Sequence, residues 1–459
     1  MAISPSEDAA LARPAPLPQG ALPLTGWRQT FSSLSGNRNF GFLYAGNIAF
    51  FFAMNMMIIQ RGWLVVERWH NASYLGYIMA SVALPTLVLA PIAGVVADRV
   101  DKVRMIQVAQ LSLVVTNGIV AALIITDAIQ FWHLLLISAF SGAAFSFNMP
   151  GRQALVAMLV PRERLMNAVA LSTAAMNASR VIAPPLGGLL IVPLGIGPAY
   201  AISTAFYGIA VATTFALPPM PSEREAEFTF FEDFREGVSF MRRTPALLGL
   251  LIFGTVPMMF LMPYQTLLPV FADDVWHVGE VGFGLLQGVS GVGGLIGALV
   301  IANLDAYPKK ARLLLGGALA SGGMLALFAV SPTFAMGLVF IGLLGFGTMI
   351  VMTVNNTAIQ LMITDQMRGR VMSVMMMSFG LMPLGALPAG IAADHVGAPP
   401  VVAVGGGLFA LSTLALFALI PALRAIDHHL ASGREAADGP VAAPSGARAP
   451  VPAVRATPR

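Results

Sequence analysis

The feature that most constrains this chain is a succession of long apolar segments separated by short polar stretches. Each segment has about the ~20 residues that a helix needs to cross ~30 Å of hydrocarbon. A segment inside a bilayer must satisfy its own backbone hydrogen bonds, so each is predicted to be an α-helix. Only 10% of residues are charged, against roughly 25% in soluble domains, and mean hydropathy is +0.77. The chain is therefore predicted to be an all-α polytopic membrane protein.

Twelve such segments are predicted, six before and six after a polar connector. The first six cover 40–66, 74–97, 105–125, 131–160, 168–192 and 199–217, and the last six cover 246–271, 281–302, 313–330, 334–363, 371–393 and 401–423. We expect two six-helix bundles, at 39–217 and 246–424. Residues 1–38 and 425–459 are rich in Ala and Pro and have no apolar periodicity, and we expect both to be disordered cytoplasmic tails.

The connector, residues 218–245, has apolar residues at helical spacing, among them Phe230 and Met241. Charged residues such as Glu232 and Arg235 fall on the opposite face. The pattern predicts an amphipathic helix that lies at the membrane interface and joins the two bundles. A short soluble linker helix fits the same pattern equally well.

Positive charge marks one side of the membrane. Of the 26 Lys and Arg, 23 lie toward one side, in the tails, the connector, the loops or, for Arg152, the adjoining end of a span. The other side has Arg61 and Arg68, and Arg180 falls within a span. Because Lys and Arg concentrate on the cytoplasmic side, both termini are predicted to be cytoplasmic, in a bacterial-type cytoplasmic membrane. This topology accounts for the pI of about 9.6, and no nucleic-acid partner is expected.

A cluster of charges separates the second and third segments. It reads Gly94-Val-Val-Ala-Asp98-Arg99-Val-Asp101-Lys102-Val-Arg104 and predicts a tight helical hairpin at the membrane surface. The carboxylate of Asp98 can accept hydrogen bonds from nearby basic side chains or from N–H groups at the start of another helix. Such a bond can be made and broken.

This stretch resembles the signature loop between helices two and three of the major facilitator superfamily, Gly-x-x-x-Asp-Arg-x-Gly-Arg/Lys-x-Arg/Lys. The match falls at Gly94, Asp98, Arg99, Lys102 and Arg104. Asp101 replaces the second glycine, and it is expected to keep the left-handed turn less readily than glycine does. The resemblance implies twelve helices in two bundles, with a conformational switch in which Asp98 contacts the start of the eleventh span. That start holds Arg368, Gly369 and Arg370. An ordinary basic cytoplasmic loop is the alternative.

Matching residues at an offset of 203 indicate an internal repeat. The pairs are Gly94 with Gly297, Gly142 with Gly345, Pro185 with Pro388, and Gly187 with Gly390. They fall at equivalent depths in the second, fourth and fifth segments of each half, as two parallel six-helix repeats would require.

The fifth segment resembles the antiporter motif of the superfamily, Gly-x-x-x-Gly-Pro-x-x-Gly-Gly. The matching stretch contains Ser179, Arg180, Ala183, Pro184, Pro185, Gly187 and Gly188, with Ser179 and Ala183 at the first two glycine positions. Proline has no N–H, so Pro184 and Pro185 are expected to free the carbonyls of Arg180 and Val181 and to bend the helix. The resemblance favours export over uptake; a purely structural kink is the alternative.

Three further stretches resemble the exporter branch that holds the enterobactin exporter and the macrolide-efflux proteins. They are Gln60-Arg61-Gly62-Trp63, Asn148-Met-Pro150-Gly-Arg152-Gln153 and Arg368-Gly369-Arg370-Val-Met-Ser373. The resemblance covers about 39–423, and lysophospholipid transporters have a similar pattern.

The fold implied by the resemblance places segments one, four, seven and ten around a central cavity. The candidate cavity residues on those segments are Asn55, Gln60, Arg61, Asn148, Met258, Met259, Met262, Asn355, Asn356 and Gln360. Most are uncharged, and flexible methionines suit bulky amphipathic ligands of varied shape. Methionines that pack between helices or face lipid are the alternative.

Arg180 is the one charge that these bounds place near the middle of a span, at a cost of ~2.5–3.5 kcal/mol unless it is paired or hydrated. No Asp or Glu is found at comparable depth. Arg180 could face the cavity and pair with an acidic group of the substrate. It could instead donate hydrogen bonds to carbonyls freed by the prolines, and the sequence favours neither.

Together these features predict a secondary active transporter that exports amphipathic small molecules, such as siderophores, macrolides or similar drugs, by alternating access. No nucleotide-binding motif is present, so a proton gradient is the expected energy source. The chain has no cysteine, its histidines are scattered, and no cofactor, metal or catalytic group is expected. The expected partners are the substrate, protons and the lipid bilayer, with a monomeric protein. A lysophospholipid or other lipid transporter and a non-transporting receptor are the alternatives.

Overall fold

The computed structural model is all-helical over the residues that it describes. These residues are 33–34, 37–221, 235, 239–303, 309–363, 367, 371, 375 and 380–427. Both predicted tails, and the connector apart from its ends and a few residues, lie outside this range. The expected disorder of the tails and the amphipathic connector helix stay predictions.

Six helices form the first half and are joined by turns of a few residues. They are α1 (Arg38–Trp69), α2 (Ala72–Arg99), α3 (Lys102–Ile125), α4 (Phe131–Leu159), α5 (Arg162–Leu194) and α6 (Ile196–Phe215). Asparagine side chains begin the first two, because Asn37 accepts from the backbone N–H of Phe40 at 3.0 Å and Asn71 from that of Tyr74 at 3.3 Å.

The second half repeats this arrangement. Its helices are α7 (Pro245–Val275), α8 (Gly279–Asn303), α9 (Lys310–Ala329), α10 (Phe334–Met362), α11 (Met382–Val396), α12 (Ala398–Leu419) and a short α13 (Pro421–Arg424). Within α7, π-helical turns occur at Pro257–Leu261 and Phe271–Val275. Because Pro257, Pro263 and Pro269 lack an N–H, the regular α-helical hydrogen bonds cannot continue through this span.

Eleven helices within the described residues are long and apolar enough to cross a membrane. The remaining predicted span, 371–393, is described continuously only from 380 onward, where α11 has 15 residues. These eleven helices begin and end within about four residues of the predicted spans, except that α5 begins at Arg162 rather than at 168. The expectation of an all-α polytopic fold is confirmed.

The turn between α2 and α3 differs from the expectation. Helix α2 continues to Arg99, so only Val100 and Asp101 separate the two helices. Asp101 does not adopt a left-handed conformation, since its φ is −58° and its ψ is 118°. Its side chain accepts a hydrogen bond from the backbone N–H of Arg104 at 2.9 Å and caps α3. An aspartate therefore replaces the family's glycine without backbone strain.

Equivalent glycines bring equivalent helices together in the two halves. A Cβ atom at Gly142 on α4 would collide with the backbone carbonyl of Val82 on α2. At the matching position, a Cβ at Gly345 on α10 would collide with the backbone carbonyl of Ser290 on α8. The pairs α2–α4 and α8–α10 therefore pack backbone to backbone, which explains why glycine recurs at this offset.

Two antiparallel helix pairs join the halves, α2 with α11 and α5 with α8. Both pairs meet near the end of the bundle that holds the turn at 70–71 and Gly397. We call this the outer end. The opposite end, which holds the α2–α3 turn, is the inner end.

Candidate functional site

The α5–α8 pair places the antiporter-like stretch against three glycines. Helix α5 is continuous through Pro184 and Pro185. A Cβ at Gly284 would lie 2.7 Å from the carbonyl oxygen of Pro184, so the two backbones are in direct contact.

The carbonyls that the prolines free also face α8. Cβ atoms at Gly291 and Gly288 would lie 3.1 Å from the carbonyl oxygens of Arg180 and Val181, respectively. Glycine is needed at these positions because a side chain there would force α5 and α8 apart.

The small residues of the same stretch serve packing in two directions. Gly187 lies against Met56 of α1, and Gly188 lies against the backbone of Glu280 at the start of α8. Ala183 is fully buried. The stretch therefore forms part of the contact between the halves as well as the core of the first half.

Arg180 lies at the middle of α5, with a solvent-accessible side chain that is nevertheless deep within the protein. This combination is expected of a side chain in a central cavity. Its guanidinium has no hydrogen bond or ion pair with any residue that the structure describes. The carbonyls freed by the prolines do not accept from it.

An apolar pocket lies between α7 and α10, with Met375 at its edge. It brings together Met258, Asn355 and Asn356 of the predicted cavity set, and adds Met352. Asn355 is 6% exposed, and its Oδ1 has no hydrogen-bond partner among the described residues. A Cβ at Gly254 would lie 2.8 Å from its Nδ2, so glycine leaves room for this amide. Met259 and Met262 are half-buried on α7, and Gln360 is exposed on α10.

Three predicted cavity residues lie instead in the interior of the first half. Gln60 is fully buried and donates to the carbonyl of Ala199 at 3.0 Å. Asn55 is buried and donates to the carbonyl of Phe51 in its own helix at 2.7 Å. Asn148 is also fully buried. The prediction that these residues line the cavity is wrong: each makes an internal hydrogen bond, although Oε1 of Gln60 and Nδ2 of Asn148 have no partner among the described residues.

Arg152 is the residue whose place the sequence argument missed. It was counted among the inner-side charges, yet it lies in α4 and is 4% exposed. Its Nε donates to Oδ1 of Asn148 at 2.7 Å, and its Nη1 donates to Asn47 of α1. The guanidinium also stacks 4.3 Å from the ring centroid of Phe50. The signal available in the sequence was Asn148 one helical turn before Arg152, within a long apolar segment.

Arg61 belongs to a second polar network in the first half. It is half-buried, and it donates to Oγ of Ser138 at 3.2 Å and to Oδ1 of Asn117 at 3.4 Å. The hydroxyl of Tyr200 donates to the same Asn117 oxygen at 3.3 Å. Arg61 and Arg152 thus join Arg180 as arginines within membrane-spanning helices, each closer to a helix end than Arg180 is.

The α2–α11 pair has a polar contact at the outer end. The carboxylate of Asp394 on α11 accepts from the backbone N–H groups of Ala72 at 2.6 Å and Ser73 at 3.0 Å, and from the Ser73 hydroxyl. Below it, a Cβ at Gly390 would lie 2.8 Å from the carbonyl oxygen of Ala72, and one at Gly76 would lie 3.1 Å from that of Ala386. The outer end is closed by these contacts.

The predicted inner switch is described only in part. Arg99 is exposed at the end of α2, and Lys102 and Arg104 begin α3. Gly94 and Asp98 lie in the last turns of α2, but the side chain of Asp98 is outside what the structure describes, as are Arg368, Gly369 and Arg370. Contact between Asp98 and the start of the eleventh span stays a prediction.

Two halves of matching helices, joined by antiparallel pairs around a central site, define a multi-pass transporter of the major facilitator superfamily. Residues 29–446 match the family model described as a transmembrane secretion effector, and the chain belongs to that family. It is a membrane transporter and not an enzyme.

Proteins of similar sequence bear the names of transporters. The staphyloferrin A transporter of Staphylococcus aureus is 26% identical over 350 residues, covering 74% of this chain and 85% of the relative. Macrolide efflux protein A of Streptococcus pyogenes is 24% identical over 334 residues, which cover 71% of this chain and 80% of that protein. The enterobactin exporter EntS of Shigella boydii is 26% identical over 284 residues, which cover 61% of this chain and 67% of that protein. These matches confirm the resemblance to the exporter branch.

Solved structures confirm the fold. The crystal structure of the nucleoside transporter NupG is similar, with a TM-score of 0.65 and 15% sequence identity. The match covers 83% of this chain and 99% of the NupG chain. At this identity the likeness concerns the fold alone.

Proposed function

We propose that this protein is a secondary active exporter of amphipathic small molecules that carry an anionic group, such as an acidic siderophore or other secondary metabolite. The observation that carries the proposal is the guanidinium of Arg180, which lies deep in the protein without a partner among the described residues. A charge within a span is stabilised by pairing or hydration, and an anionic ligand would supply both charge and acceptors.

The pocket between α7 and α10 supports the amphipathic part of the proposal. Met258, Met352 and Met375 offer flexible, polarisable surface to an apolar group. Oδ1 of Asn355, which has no partner among the described residues, can accept a hydrogen bond from the same ligand. Charge on the first half and adaptable apolar surface on the second half match a molecule with two chemically different ends.

Export by alternating access is supported by the family and by the printed functions of the relatives. The antiporter-like stretch of α5 and the absence of a nucleotide-binding motif support coupling to a proton gradient. With both termini in the cytoplasm, as the distribution of Lys and Arg indicates, the outer end faces away from the cytoplasm.

A second candidate function is transport of lysophospholipids. These molecules are also amphipathic and carry phosphate, so Arg180 and the methionine-lined pocket suit them as well. A receptor that binds such molecules without moving them is separated from both by a transport assay.

The proposal is tested by comparing export of an anionic and a neutral compound in a strain that lacks the native gene. Arg180→Gln is expected to reduce export of the anion about tenfold, the size expected for losing a hydrogen-bonded charge pair, and to leave the neutral compound unchanged. Arg180→Lys keeps the charge and is expected to retain most anion export.

Membrane abundance of each variant serves as the control. Equal loss of both compounds in the Arg180→Gln variant, or loss of neither, would show that Arg180 does not pair with the substrate.

A further inference from the structure

The first turn of α2 needs a hydrogen-bond acceptor that its own half does not provide. The first N–H groups of a helix have no intrahelical partner. Asn71 satisfies that of Tyr74, and Asp394 from the other half satisfies those of Ala72 and Ser73. The start of α2 is thus capped once within its own half and once across the interface.

The position of Asp394 within its own helix is unfavourable. It lies two residues before Val396, the last residue of α11, where the negative end of the helix dipole repels a carboxylate. The positive end of α2 compensates this repulsion only while the two helices are in contact. The carboxylate is therefore more stable with the outer end closed than with it open.

The surroundings of Asp394 keep this contact reversible. A polar pocket at the outer end is lined by Asp394, by Asp274 of α7, and by His70 and Asn71 of the α1–α2 turn. The neighbouring residue on α11 is His395. Asp394 itself is exposed, and its carboxylate is in contact with solvent in this pocket. Water can replace Asp394 at the α2 amides when the helices separate.

We propose that Asp394 is a positioning residue that holds the outer end closed by capping α2, and that each transport cycle breaks and reforms this contact. The inference rests on the alternating access of the proposed function. It also gives the predicted role of Asp98 a counterpart. Asp98 lies in the last turn of α2, at the inner end, and its predicted partner is the start of the eleventh span, so each helix of the pair would cap the other at opposite ends of the bundle.

Because the chain has no native cysteine, single cysteines can report opening directly. Leu387→Cys lies against Gly76 in the α2–α11 contact, and Val181→Cys lies against Gly291 in the α5–α8 contact. Ala128→Cys, exposed in the turn between α3 and α4 at the outer end, serves as an accessible reference. Each is treated with a membrane-impermeant maleimide in intact cells.

Asp394→Asn is expected to raise the labelling rate of both half-buried reporters about tenfold, as for loss of a hydrogen bond to a charged group. Asp394→Glu keeps the charge and is expected to restore part of the closure. Asp274→Asn is the matched control, because it removes a carboxylate from the same pocket that has no hydrogen bond to α2 among the described residues; it is expected not to raise labelling.

Unchanged labelling of both reporters in Asp394→Asn would overturn the proposal, as would an equal rise in Asp274→Asn. A rise at Leu387→Cys without one at Val181→Cys would also overturn it, because the contact would then be local. None of these measurements requires a substrate, so their outcome is separate from the export assays that test the proposed function.

Discussion

The two helix pairs that join the halves achieve contact by different chemistry. Helices α5 and α8 meet through prolines and glycines, with the backbone of Pro184 directly against Gly284. Helices α2 and α11 add a carboxylate, Asp394, that accepts from the first turn of α2. The first contact depends on shape alone, and the second depends on shape and charge.

This difference teaches how one interface can be both stable and switchable. Contacts between small residues are weakly directional, so α5 and α8 can rotate against each other while many of their contacts persist. A hydrogen bond weakens steeply with distance and angle, so the Asp394 contact is either made or lost. We infer that the α2–α11 contact determines which end is closed, and that α5 and α8 rotate apart at the outer end with it while part of their contact persists.

The largest expected effect comes from breaking the shape-dependent contact. Gly284→Leu places a side chain against the carbonyl of Pro184, where even a Cβ would lie 2.7 Å away. The backbones must separate, and overpacking of this kind costs ~1–3 kcal/mol or more. Export is expected to fall at least tenfold, measured with the same anionic compound.

The control for this variant is Gly323→Leu on α9, where a Cβ would meet nothing within 4 Å. That variant is expected to export normally. If Gly284→Leu also exports normally at equal abundance, the close approach of α5 and α8 is not required for transport.

A smaller effect is expected at the inner counterpart of Asp394. Asp98→Asn is expected to weaken closure of the inner end and so to favour the state closed at the outer end. Export should fall several-fold with normal membrane abundance, and labelling of Leu387→Cys from outside should decrease, opposite to the effect of Asp394→Asn. Asp101→Asn is the matched control, because asparagine caps a helix as well as aspartate does. Full transport by Asp98→Asn would exclude Asp98 from the mechanism.

The smallest expected effect comes from removing one of the hydrogen bonds that Asp394 accepts. Ala72→Pro removes the N–H that Asp394 accepts, at the first position of α2, where proline is tolerated. Asn71 before it is extended, with φ −136° and ψ 111°, as a residue preceding proline prefers. Labelling of Leu387→Cys is expected to rise about threefold, less than with Asp394→Asn, because the bonds from Ser73 remain. An effect equal to that of Asp394→Asn would mean that disruption of the helix, not loss of one donor, opens the interface.

Sequence reasoning predicted the helices well and the placement of polar side chains less well. It brought Met258, Asn355 and Asn356 into one predicted cavity, and the structure places them around one pocket. It placed Gln60 and Asn148 in the same cavity, whereas both are buried in the first half. All of these residues lie on segments that the family resemblance assigns to the cavity, and an apolar segment does not reveal which of its faces is covered by a neighbouring helix.

The sequence by itself determined that the chain spans the membrane as α-helices, because the bilayer prescribes their length and each helix satisfies its own backbone locally. The signature at Gly94 and Asp98 likewise depends on residues close in sequence. Only the tertiary structure decided that Arg152 is buried and that Asp394 caps a helix that begins 322 residues before it. An aspartate near a helix end looks the same in any sequence, and its partner is determined by the packing of the two halves.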